Sequence, residues 1–492
     1  MHRKPGRAIL GFAVLSTALF LPSLRSADAP PTTPSVAAEV RPRETKLPAL
    51  PAAFKHPGLL NSKEGLDFVK GKIAAGEEPW KSAFEQMKAS PWAALDFKPH
   101  APRTTISSGF LGKGGEEGGV AGASMDAKAA YTQSLMWVFT GDERYARNAA
   151  ALLNNWSVLR ENRGGNWYLQ ASWLATMFTN AAEIIRHTWP EWKREDIARF
   201  SEMLNEAFLP IFHNRPAYGN RLFSVGEAMM SIGVFNEDRA AFTEGLHRWV
   251  SYVPCWIYLQ SDGPDPVRPD YWLTRPTNEE LAALDANLFP DVKKSWIFRE
   301  KEVVDMMKAN KLGDDSTIYK TASNLDKGGM HWNKAPDAAY VDGLSAETYR
   351  DLGHCDLGFA SVVNSAEIAW NQGIDLYGLE ARRLTAFMEL HAGLRIDEVI
   401  PPVFYRVRGT PVQSGAEAAY NHYHNIKGRD LPKTRAFMEK VIRPCLRKEI
   451  NGAPGWSWVP VDPGVRAENI VWPIGCNVAW ETLTHAGTGE SK

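Results

Sequence analysis

The stretch DAKAAYTQSLMWVF-TGD-ERYARNAAALLNNWSVL, residues 126–159, decides the fold. Two amphipathic runs, 126–139 and 143–159, flank Thr140-Gly141-Asp142, a turn in which glycine ends one helix and aspartate opens the next. The arrangement recurs at 169–187 and 192–212 around Trp189-Pro190, and again at 221–234 and 239–253. Upstream, runs at 62–75 (opened by Ser62) and 78–88 precede a Gly- and Pro-containing break at 97–122; downstream, runs at 354–370 and 376–394 resume the rhythm. Helix, short turn, helix, repeated, is the pattern of stacked αα-hairpins. The expectation is an all-α (α/α) toroid of about six or seven hairpins spanning residues 55–488. Minor strand or loop content is expected near the C-terminal part, at 403–407 and 411–413. Strand-helix alternation is missing, which excludes Rossmann and TIM architectures. Gly112-Lys113-Gly114-Gly115 lacks the spacing of a phosphate-binding loop.

Residues 1–29 read as an export signal: His2, Arg3, Lys4 and Arg7 precede an apolar run, 8–24, and Ala27-Asp28-Ala29 offers a cleavage site. The run is interrupted by Ser16, Thr17 and Pro22, so no stable membrane anchor is expected. Residues 30–54 are rich in Pro, Ala and Thr and read as a disordered linker. A charged, Pro-rich excursion at about 261–337 reads as an insertion between hairpins. The formal net charge of −1 argues against a nucleic-acid partner, which needs a basic excess. Four cysteines, Cys255, Cys355, Cys445 and Cys476, are too scattered for a zinc or redox motif and leave one disulfide open. The 18 tryptophans include several beside Gly, Asn or Pro, where flat faces suit sugar rings. Oligomeric state is not legible.

Chemistry concentrates between Gly343 and Gly358, where Glu347, Tyr349, Arg350, Asp351, His354 and Asp356 share a short span. A cation, a phenol, an imidazole and carboxylates so close together can neutralise an anion and move a proton on it. If the span is helical, Glu347, Arg350 and His354 share one face; Gly353 equally permits a loop entering a helix at His354. Further candidates are Asn220 and Arg221 after Tyr218-Gly219, and the run Tyr420-Asn421-His422-Tyr423-His424. Trp167 and Tyr168, following Arg163-Gly164-Gly165-Asn166, could form a sugar platform. His354, His422 and His424 match no metal-ligand spacing, and neither a metal nor another cofactor is expected.

Tyr218-Gly219-Asn220-Arg221 with Glu227-Ala228-Met229-Met230, Arg350-Asp351-Leu352-Gly353-His354, Tyr420 to Asn425, His56-Pro57-Gly58-Leu59-Leu60 and Ala366 to Gly373 together resemble the alginate lyase superfamily of helical toroids. The resemblance covers most of the chain from His56 onward. Arg221 stands where the best-known helical members carry histidine. The resemblance implies an exported enzyme that cleaves an acidic, uronate-containing polysaccharide of the polymannuronate or glucuronan type by β-elimination. It places Asn220 and Arg350 at the substrate carboxylate and His354 with Tyr420 or Tyr423 on the proton. Trp167, Tyr168, Arg221, Tyr349 and His422 are left to hold sugar.

The chemistry of elimination asks for the same residue types. The C5 proton is weakly acidic while the neighbouring carboxylate is ionised, so donors must gather charge there as the proton leaves. A base must reach C5 and an acid must reach the bridging oxygen. In mannuronate and glucuronate polymers both lie on one side of the ring, so one residue or two adjacent ones suffice; guluronate needs groups on both faces. Two other readings stay open. A hydrolase would use two carboxylates, with Glu347, Asp351 and Asp356 as candidates, and a non-catalytic glycan binder would use the tryptophans.

Overall fold

The computed structural model describes residues 45–108, 119–164, 167–213, 219–263, 267, 341–348, 352–396, 415–443 and 480–487. Residues 1–29, read as an export signal, nearly all of the expected insertion, Tyr349, Arg350, Asp351, both C-terminal strand expectations, Cys445 and Cys476 lie outside them. The first helices are α1 (Lys63–Ala75) and α2 (Trp80–Lys88). Three hairpins follow: α3 (Val120–Thr140) with α4 (Glu143–Trp156), α5 (Trp167–Thr188) with α6 (Arg194–Ala207) and the short α7 (Leu209–Phe212), and α8 (Asn220–Phe235) with α9 (Arg239–Trp256). Next come α10 (Leu352–Asn371), α11 (Leu376–Leu379) and α12 (Ala381–Ile396), then α13 (Ala416–Tyr420), α14 (Pro432–Phe437) and α15 (Glu481–His485).

Local chemistry sets the boundaries. Asp142 accepts from the Arg144 N–H, Ser62 from Gly65 and Asp238 from Ala240 and Ala241; each such cap stabilises its helix by about 1 kcal/mol. Gly141 closes α3 at φ 71°, where a β-carbon would strain the backbone. The run at 192–212 is one helix by periodicity but two in the structure: Phe208 leaves helical geometry at φ −124°, and Pro210, which has no N–H to give, sits at the start of the next turn. A similar break at Glu380 separates α11 from α12. Two short strands form where none was expected: Thr105–Ser108 pairs in parallel with Glu161–Gly164.

Side-chain contacts give the helices their directions. Ser134 reaches the Ala181 carbonyl and Trp137 reaches Thr188, so α3 and α5 run parallel. Trp173 donates to Ser224 while Arg186 donates to the Phe235 carbonyl, which makes α5 and α8 parallel. Ser224 meets Ser361 and Glu227 meets Asn364, so α8 and α10 agree as well. Gly415 lies against Ala360, and His422 lies 4.8 Å from the Trp370 ring, which extends the pattern to α13. By contrast α9 returns antiparallel on α8, with Gly226 against Gly245 and Gly233 against Phe242. Packing then runs α3, α5, α8, α10, α13, α15, α1 and back to α3, a closed circuit with returning helices outside it. The fold is the all-α (α/α) toroid expected from the sequence.

The circuit is sealed at one end by residues 55–61. Gln372 donates to the Lys55 and Gly58 carbonyls, Asn371 to Leu59, and the Leu60 N–H reaches Asn180. Residues 45–54, read from composition as part of a disordered linker, instead lie on the helices: Leu50 packs against the core and Phe54 sits 5.1 Å from Phe242. Two apolar anchors outweigh a Pro-rich average. Among the described residues no helix is long and apolar enough to cross a membrane. Cys255 and Cys355 are buried free thiols.

The inner wall is polar and titrates in a defined direction. Glu227 is buried and hydrogen-bonded by Asn364 at 2.8 Å, and burial pushes its carboxyl up to about 8 from the ordinary 4.5. The folded state therefore keeps a proton that the unfolded chain releases. The associated stability is full below pH 4.5 and is lost as pH rises through about 8. Burial raises Glu481 to about 8 as well, so both act in one direction. Glu227→Gln, which copies the protonated form, is expected to flatten the fall in melting temperature between pH 6.5 and 8.5, with a gain of about 2 °C or more at the alkaline end. Thermal melts of both proteins across that range check it.

Candidate active site

Parallel inner helices bring the N-termini of α5, α8 and α10 to one end of the toroid, and Asn220 is the first residue of α8. Its side chain is 2 % exposed. Gly219 precedes it at φ 58°, ψ −144°, a region that only glycine enters without strain. A β-carbon there would also stand 2.8 Å from a Glu347 carboxylate oxygen. That carboxylate takes the place of a local cap: Oε2 accepts the Asn220 backbone N–H and Oε1 accepts its Nδ2–H, both at 2.8 Å. One amide N–H of Asn220 is thus committed and its orientation fixed. Its Oδ1 has no hydrogen bond from any described residue, though buried. A buried amide oxygen in that state points to a partner supplied from elsewhere.

Glu347 is itself held firmly. The turn that carries it, 345–348, follows a backbone exchange with the end of α9, in which Tyr258 donates to Leu344, Gly343 to Tyr258 and Ala346 to Trp256. Ser345 donates its N–H to Thr348 Oγ1, which lies 3.0 Å from His391 Nε2. The other ring nitrogen of His391 lies 2.9 Å from the Phe387 carbonyl, which can only accept. Nδ1 therefore carries the proton and Thr348 donates to Nε2. Burial lowers this imidazole to about 3, so the chain of bonds stays neutral and intact at ordinary pH.

His354 stands in the first turn of α10, partly exposed, one turn before Gly358. Gly358 is the close approach: a β-carbon there would meet the Trp256 ring at 2.7 Å and the Asn220 α-carbon at 3.3 Å. Asn220 and His354 are thereby brought to one end of adjacent helices. Arg221 follows on α8, and α5 begins at the same end with Trp167 and Tyr168. Because the helix starts at Leu352, Glu347 is not on a shared helical face with His354, as the span alone had suggested.

The remaining expectations are placed elsewhere. Tyr423 is buried and donates to the Tyr377 carbonyl at 2.8 Å, and burial pushes its phenol far up. It is a core residue and no proton acceptor. Tyr420 accepts from Arg435 Nε at 3.2 Å and stacks on His424. Along parallel helices it lies past the Gly415 contact with Ala360, whereas His354 lies before it, so about 15 Å of helical rise separates the two. His422 stacks on Tyr377 at 4.1 Å and burial lowers its imidazole to about 4, which removes it from the sugar-binding set. A π-helical stretch, Asn421–Ile426, turns these rings into the wall. Sequence reading missed this because π-helical register is invisible to 3.6-residue periodicity.

The carboxylates needed for a two-acid hydrolase are not brought together among the described residues. Both Glu347 oxygens are taken by Asn220, and Asp356 pairs with Arg395. Many tryptophans, including Trp156, Trp173, Trp249 and Trp256, are buried. Glu347 as the holder of Asn220 is the role that sequence reasoning did not find.

Comparisons with known proteins find matches at the level of solved structures and of one family. Eleven solved chains match. Alginate lyase A1-III from Sphingomonas species A1 is 16 % identical, over 78 % of this chain and 92 % of that one, with a TM-score of 0.45. A variant of alginate lyase A1-III complexed with tetrasaccharide is 14 % identical over 77 % and 90 %, with a TM-score of 0.45. No curated protein sequence matches. Residues 115–253, which run from α3 into α9 and include Asn220 and Arg221, match the family described as alginate lyase. Over that segment the chain is similar to the alginate lyase family.

Proposed function

We propose that the chain is an exported lyase that cleaves mannuronate- or glucuronate-type polymers by syn β-elimination at the end of the toroid where Asn220 and His354 meet. The observation that carries the reading is Asn220, buried at a helix N-terminus with Glu347 fixing its amide, so that its Oδ1 is left to accept from a sugar hydroxyl and its second Nδ2–H to donate. The second Nδ2–H and the positive ends of α5, α8 and α10 favour an anion at that place. With a uronate carboxylate there, charge that builds up as the C5 proton leaves is met by donors that need no reorganisation. His354 takes the C5 proton; the C4–C5 double bond forms as the C4–O bond breaks; the same imidazole returns the proton to the leaving oxygen on that face. Arg350, beside the start of α10 in sequence, supplies the cation in this reading. Residues 1–29 support export.

Incubation with polymannuronate, glucuronan and polyguluronate, followed by ultraviolet absorbance, tests the proposal. Unsaturated, absorbing product from either of the first two, and slower reaction on polyguluronate, is expected. Reducing ends without absorbance would mean hydrolysis, and fastest cleavage of polyguluronate would rule out the one-face mechanism.

A further inference from the structure

At the opposite end of the inner helices a second cluster has no part in this chemistry. Glu183 and His187 lie one turn apart near the end of α5, and His56 reaches them from the sealing segment. His56 Nδ1 is 2.7 Å from Glu183 Oε1, and His187 Nε2 is 3.6 Å from Glu183 Oε2. The two imidazoles stack at 4.4 Å with planes 11° apart. One ligand atom from each of the three residues falls within 4.8 Å of the others. Glu183 is 1 % exposed, and its Oε2 accepts no hydrogen bond from any described residue. Burying a carboxylate oxygen without a donor is costly unless a cation completes it.

We infer that His56, Glu183 and His187 form a zinc site. Two imidazole nitrogens and one carboxylate are a zinc donor set, and the side chain of His187 is partly exposed. A further carboxylate completes the pattern: Glu237 Oε1 lies 2.7 Å from His56 Nε2, where it orients the ring and fixes Nδ1 as the ligand atom. Glu237 makes this contact from the turn between α8 and α9 with a left-handed backbone, φ 57°. The neighbouring cation Arg186 is directed away, onto the Phe235 carbonyl at 2.6 Å. The length of α8 puts this end about 20 Å from Asn220, so the ion ties the sealing segment to the toroid and takes no part in elimination.

The test uses the full chain, dialysed against chelator, incubated with zinc sulfate, desalted and analysed for metal, with cobalt(II) absorption as a spectroscopic probe of the ligand set. About one zinc retained per chain is expected, with a rise in melting temperature on zinc addition. His187→Gln should abolish retention and the thermal shift while circular dichroism and lyase rate stay at the wild-type level. Glu237→Gln, which leaves all three ligands in place, should weaken zinc binding about 10- to 100-fold. No zinc on the wild-type chain, or equal retention by the wild type and both variants, overturns the assignment.

Discussion

Asn220→Ala is expected to lower turnover on the preferred uronate polymer about 100- to 1,000-fold, the usual effect of removing one fixed donor from a site of developing charge. Two losses combine. The amide N–H that the proposed mechanism offers to the substrate carboxylate disappears, and Glu347 Oε1 is left buried without its 2.8 Å partner where the proposal places an anion. The backbone N–H of residue 220 still reaches Glu347 Oε2, so α8 keeps its cap and circular dichroism should not change. Steady-state rates from the absorbance assay decide the matter. A variant with unchanged kcat would remove Asn220 from the carboxylate site.

His354→Ala should cost about 100- to 10,000-fold in kcat, the range for losing a general acid-base group. Because the proposed mechanism has the lost group act on the proton and not on binding, KM should move much less than kcat. Tyr423→Phe is the matched control: the phenol it removes donates to the Tyr377 carbonyl inside the wall, so stability falls slightly and turnover stays near wild type. Rate measurements and melting curves on both variants check the pair. An active His354→Ala beside an inactive Tyr423→Phe would reverse the assignment.

Periodicity and turn chemistry made the toroid legible, because Gly141, Asp142 and Asp238 announce helix ends with their own side chains or backbone freedom. The site was legible only as a set of residue types. Asn220 could be singled out after Gly219, yet its anchor, Glu347, lies 127 positions away and reaches it across a turn that no local pattern encodes. Tyr420, Tyr423 and His422 enter the site only through the family resemblance. A π-helical stretch carries His422 and Tyr423, and composition holds no trace of it. Among the linker residues the error was one of averaging, since Leu50 and Phe54 each find the core.

The sealing segment also sets a timetable for folding. The Leu60 carbonyl lies 3.0 Å from His485 Nε2, a partner 425 positions later, and Leu59 waits for Asn371, 312 positions later. At a synthesis rate of about 5–20 residues per second, His485 follows Leu60 by roughly 20–85 s. The hairpins α3–α4 and α8–α9 need only near neighbours and can form as they emerge. Residues 55–61 can meet Asn180 and Glu183 once α5 is made, but their docking is complete only when Asn371 and His485 arrive, so a nascent chain stalled before α15 holds this segment by part of its contacts and leaves it more open to proteases.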